Sequence, residues 1–141
     1  LTSSPKRIAA LALLERVRRH EMEDDSRALA TLRGEIAELT DRGRALEGEL
    51  HREAHAAGIE SAAYLGDYIR AVRATLAGYE ARISQITPEA DRLETAVMER
   101  FREIKTFQSV RLAGLAANAA ARDKLEADAQ SEMVLLRWKR G

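Results

Sequence analysis

The sequence has 141 residues, 23 Lys and Arg against 23 Asp and Glu, no cysteine, two prolines and 26 alanines. It can build no disulfide framework and no thiolate site, and its six aromatics leave too little bulky apolar matter for a thick globular core or a sheet. The zero net charge is unevenly spread, +4 over residues 1–20, −7 over 21–97 and +3 over 98–141, so both ends are basic.

The start, LTSSPKRIAALALLERV, has a basic opening and a short apolar stretch. Glu15-Arg16 interrupts it too early for a signal peptide, so it reads as the first turns of a helix. The chain begins at Leu1 rather than Met, which leaves open whether residues precede it in the natural protein. No run of about 18 apolar residues occurs, so no membrane insertion is expected. Ser4-Pro5 is a helix start: a serine oxygen can accept from an orphan N–H, and proline suits the first helical position.

Helix 1 is expected over about 5–57. Its clearest seam is Leu29, Leu32, Ile36, Leu39, Gly43, Leu46 and Leu50, alternating steps of three and four that keep one stripe against a partner helix. Toward the N-terminus Ile8, Leu11, Leu14 and Val17 are read as a less regular continuation. The turn is placed at 58–61, with Gly58 as the left-handed residue that closes the helix, Ile59 folding back and Ser61 capping the second helix.

Helix 2 is expected over about 62–139. Its seam runs Leu65, Ile69, Val72, Leu76, Tyr79, Ile83, Ile86, Ala90, Leu93, Val97, then Phe101, Ile104 and Phe107 or Gln108. The stripe crosses Pro88 without losing phase. One helix kinked near Pro88 is therefore favoured over a third helix capped by Thr87.

A tight turn between two matching seams predicts an all-α fold, an antiparallel two-helix coiled-coil hairpin making a single unit of 1–141. Facing residue numbers should add to about 119. Helix 1 then runs out opposite Leu115, and residues 116–141 overhang for roughly 39 Å at 1.5 Å per residue. Along that overhang Leu125, Ala129, Met133 and Leu136 form a stripe, Val134 and Trp138 cover a neighbouring face, and the last turns are apolar nearly all round. An exposed helix should not look like this. The tail is expected to bind a different protein; folding back onto the hairpin, or pairing with a second copy, are the alternatives.

His51 and His55 sit one turn apart, but Glu53 points almost opposite and no further ligand lies nearby. They read as solvated, with no metal site. Glu21, Glu23, Asp24 and Asp25 beside Arg16, Arg18, Arg19 and His20 read as paired helix surface. No phosphate loop and no cofactor site is expected, and no enzyme. Nucleic-acid binding is disfavoured, because 17 acidic residues within 1–97 repel phosphate and no aromatic platform interleaves with the basic residues.

The stretches LALLERVRRHEMEDDSRALATL, YLGDYIRAVRATLAGYEARI and FREIKTFQSVRL with its alanine- and charge-rich tail resemble the FliJ/YscO family of type III secretion and flagellar export. The short tip and apolar C-terminus look more like the secretion branch. The resemblance implies a cytoplasmic bacterial hairpin, peripheral to the export apparatus, whose paired termini enter the pore of a hexameric secretion ATPase. Other surfaces would meet the export-gate protein or secretion chaperones. In that setting Arg16, Arg18, Arg19, Arg137, Lys139 and Arg140 would steer the termini toward an acidic pore mouth, and Met133, Leu136 and Trp138 would anchor them. A monomer is favoured over a dimer. The competing function is a self-associating coiled-coil scaffold without an export role.

Overall fold

The computed structural model describes residues 2–58 and 62–141. Two helices account for nearly all of them, α1 (Pro5–Ala56) and the longer α2 (Ala62–Arg140), packed against each other as a hairpin. No strand occurs among the described residues.

The helix ends follow from local chemistry. Ser4 Oγ accepts from the Arg7 N–H at 3.1 Å, and the Ser4 carbonyl accepts from Ile8 at 3.1 Å, so the cap expected from Ser4-Pro5 is made. At the other end of α1 the Ala57 N–H reaches the Glu53 carbonyl at 3.0 Å. Gly58 does not take the left-handed conformation expected of it: no described glycine has a positive φ. The helix ends by exhausting its own ladder, without a reversed residue. The roles expected of Ile59 and Ser61 fall outside the described residues.

α2 passes Pro88 unbroken. Both Pro88 and Ser84, whose carbonyl the missing N–H would have served, lie on the exposed side, where water can satisfy that carbonyl. Thr87 caps no new helix; its hydroxyl donates back to the Ile83 carbonyl at 2.7 Å.

Contacts divide the molecule into a central unit, Glu23–Val97, and a terminal unit, Leu1–Met22 with Met98–Gly141. The central unit follows the apolar seam. Val72, Ile86, Ala90 and Leu93 are buried on α2, and Leu29, Leu32, Ile36, Leu39, Leu46 and Leu50 are half-buried on α1. Gly43 makes room for its neighbours: Leu76 and Tyr79 come within 3.6 and 4.0 Å of where its side chain would begin. Arg82 holds Glu35 through two hydrogen bonds of 2.7 and 3.2 Å, and Arg33 pairs with Glu94. The Arg82 hydrogen bond holds the Glu35 carboxyl below its ordinary pKa. These partners' numbers add to between 117 and 127, a register around the expected 119.

The terminal unit is built differently. The three-four spacing continues, but charged and polar residues share it with apolar ones such as buried Ile104. On α1 the positions after Ile8 and Leu11 are Glu15, Arg18 and Met22; on α2 they are Arg100, Ile104, Phe107, Arg111, Gly114 and Asn118. Glu15 is only 5% exposed. Leu14 and Val17, expected in the seam, are 39% and 41% exposed, and Phe101 is 51% exposed, its expected place being taken by half-buried Arg100. Hydrophobicity alone pulled the expected stripe one residue off its true phase.

Candidate partner-binding surface

The polar seam of the terminal unit is closed by matched charges. Arg111 donates to Glu15 from Nε at 2.5 Å and from Nη2 at 3.2 Å, a fork that uses both carboxylate oxygens. Hydrogen bonding to Glu15, working against desolvation, holds the Arg111 guanidinium above its ordinary pKa. Arg18 Nη1 donates to both oxygens of Glu21 at 3.3 Å, and Arg100 donates to the same carboxylate. Arg18 Nε lies 2.5 Å from Glu103 Oε2, a charge contact off the hydrogen-bonding direction. Asn118 clamps the chain start: its Oδ1 accepts from the Ser3 N–H at 2.9 Å, and its Nδ2 donates to the Ser3 carbonyl at 2.8 Å. Buried ion pairs add little net stability over apolar pairs of equal size. They do fix register, because a slipped α1 would bury Glu15 away from Arg111.

With charge inside, apolar side chains are displaced outward. Leu13, Met98, Phe101, Leu112 and Leu115 are all exposed on the terminal unit.

The nine residues expected to bind a partner fall into two groups. Arg16 and Arg19 are exposed on α1, whereas Arg18 turns inward to Glu21 and Glu103 and is spent on the pair. Met133, Leu136, Arg137, Trp138, Lys139 and Arg140 all lie exposed on the last turns of α2. Trp138 is 84% exposed, and Met133, Val134, Leu135 and Leu136 each expose more than half of their surface. Arg137, Lys139 and Arg140 also suit the negative end of the helix dipole.

The two groups are not brought together. Ser3 sits at Asn118, so α1 begins alongside that residue, and Met133 lies fifteen residues further on, roughly 22 Å at 1.5 Å per residue. Every residue from 122 to 141 is exposed. The stretch without any cover therefore starts some six residues later than the sequence pattern suggested.

One feature of the terminal unit escaped the sequence pattern. A groove of 660 Å³ runs beside the start of α1, walled by Pro5, Ile8, Ala9, Ala12, Leu115 and Ala121 among others. Small residues at Ala9, Ala12 and Ala121, next to the larger Ile8 and Leu115, form a channel into which another helix can pack. Its sequence signal is small residues at Ala9 and Ala12 on α1 and Ala121 on α2, which composition treats only as helix propensity.

At the other end of α1, the His51 and His55 rings lie 4.4 Å apart, and His55 Nδ1 is 3.0 Å from the His51 carbonyl. Both are exposed. No group of three or more metal-binding side chains occurs among the described residues, and no described helix is long and apolar enough to cross a membrane. Comparison with protein-family models, with curated proteins and with solved structures finds no match to this chain.

Proposed function

We propose that this chain is a non-enzymatic stalk or adaptor of a bacterial type III secretion system, working in the cytoplasm against the hexameric export ATPase. The observation that carries the reading is the uncovered end of α2: a helix whose last turns expose Met133, Val134, Leu135, Leu136 and Trp138 together. Leaving five large apolar side chains in water is unfavourable, at about 25 cal/mol per Å² of apolar surface, and a ring that encloses the helix removes that surface from solvent. A terminal unit with fourteen basic and eight acidic residues favours an acidic pore mouth. The FliJ/YscO-like stretches give the reading its particular partner. The export-gate protein and secretion chaperones belong to the same proposal as further contacts.

The mechanism is organisational. A stiff pair of helices presents one anchored end to the ring and leaves the remaining surface for neighbours. Trp138 and Met133 act as buried anchors, and Arg137, Lys139 and Arg140 guide the approach; Arg16 and Arg19 add to the basic field from α1.

Met133→Asp with Trp138→Asp is expected to weaken binding of the purified export ATPase at least a hundredfold, since two desolvated anchors each contribute about 2 kcal/mol or more. Helicity and melting temperature should hold, because neither side chain is buried in the free chain. Undiminished ATPase binding by this variant would refute the reading. A large loss of thermal stability would show instead that the tail packs within its own chain.

A further inference from the structure

We propose that two copies of this chain associate tail into groove, the C-terminal helix of each, residues 125–136, seated beside the start of the other's α1. The groove offers an apolar floor from Pro5, Ile8, Ala9, Ala12, Leu115 and Ala121. Its edge is cationic where the tail's acidic residues arrive: Arg122 lines the same groove. Arg122 is exposed and open to an acidic partner. Such a groove fits an amphipathic helix with an apolar stripe bordered by acid.

The chain itself carries that helix. At 100° per residue, Leu125, Ala129, Met133 and Leu136 share one face, and Glu126, Asp128 and Glu132 border it. All seven are exposed. The match in shape and in charge sign is between two surfaces of one sequence.

A copy cannot satisfy itself. α2 is uninterrupted from Ala62 to Arg140, and one wall of the groove is α2 itself at Arg111–Arg122. The tail leaves the groove along the axis of its own wall and cannot turn back into it without breaking the helix. Each copy therefore holds one unused groove and one unused stripe. A two-fold axis near Asp123 and Lys124 lets both pairs close at once, with the two α2 helices antiparallel. Asp123 and Lys124 then lie near the opposite charges of the other copy.

The dimer does not depend on the ATPase reading, but the same tail cannot serve both at once. Sedimentation of the full chain over a hundredfold range of concentration tests it. The wild-type chain should sediment at twice its 15.7 kDa and dissociate in strong salt, as ion pairs at the groove edge are screened. Leu115→Asp or Ala9→Arg in the groove, and Leu125→Asp with Met133→Asp in the tail, should each give a 15.7 kDa particle of unchanged helicity, melting like the wild-type chain diluted below its dissociation. Ala9 is exposed and arginine is a good helix former, so that variant remains informative if Leu115→Asp lowers stability. A wild-type chain that stays at 15.7 kDa overturns the proposal, and so does a dimer indifferent to both groove variants, which would mean tail against tail. The two readings fail separately: groove variants should still bind the export ATPase, and a stable dimer that ignores the ATPase would sink only the stalk.

Discussion

Ile86→Ala is expected to destabilise the hairpin by about 3 kcal/mol, read as a fall in the urea midpoint at constant slope. Ile86 is 4% exposed in a seam one side chain deep. A truncation there removes contacts from both helices, and the seam has no second layer to close the gap. Phe101→Ala is the control. It deletes a larger side chain, yet Phe101 is half in water, with the Lys105 ammonium 5.5 Å above its ring. Its loss should cost under about 1 kcal/mol. If both variants fell equally, Phe101 would belong in the seam and the phase described for the terminal unit would be wrong.

The second large effect runs the other way. Gly34, Gly66 and Gly78 lie within helices, and a Cβ added at any of them would meet nothing within 4 Å. Glycine is about 1 kcal/mol worse than alanine in a helix interior, because it loses more backbone freedom on folding. Gly34→Ala, Gly66→Ala and Gly78→Ala together should therefore stabilise the central unit by about 2–3 kcal/mol, close to the sum of the single changes. Gly114 is the exception that the same logic identifies. A Cβ there would lie 2.6 Å from Ser3 Oγ and 3.0 Å from Ser3 Cβ, against the clamp made with Asn118. Chemical melts of the triple variant and of Gly114→Ala should separate the two cases, with a gain only in the first.

The parts of the fold legible in the sequence were those where hydrophobicity and spacing agree. From Leu29 to Leu50 and from Leu65 to Val97 every seam position is apolar or glycine, which is enough to imply two paired helices with the second longer. The uncovered tail was legible for the same reason, since nothing in the chain could face it. Where the two signals part, spacing is the better guide. Counting back from Leu29 in strict steps of three and four lands on Asp25, Met22, Arg18, Glu15, Leu11 and Ile8. Counting on from Val97 lands on Arg100, Ile104, Phe107, Arg111, Gly114 and Asn118. Following the grease instead led to Leu14, Val17 and Phe101. A charge can occupy a seam when its counterpart stands across it and the seam of two helices stays partly wet. That cross-chain match, Glu15 with Arg111 or Arg18 with Glu103, cannot be read along one helix at a time. The groove was hidden for a related reason: alanines at Ala9, Ala12 and Ala121 gain meaning only once α1 lies against α2.

Arg18 also changes its role. In the sequence it belongs to a basic patch with Arg16 and Arg19; in the structure its guanidinium is held by Glu21 and Glu103. The field presented to a partner from α1 is therefore smaller than the count of arginines suggests. More of the expected binding energy falls on the tail.

Binding of the purified export ATPase by the full chain and by residues 1–121 puts the tail to the most direct test. Removing 122–141 takes away only exposed residues, so at a concentration where the full chain is monomeric the shortened chain should melt within about 2 °C of it. Its affinity for the ATPase should fall at least a hundredfold, by about 2.7 kcal/mol or more. Equal binding by the two chains would contradict the account, as would a melting temperature lowered by about 10 °C, which would place the tail within the folded core.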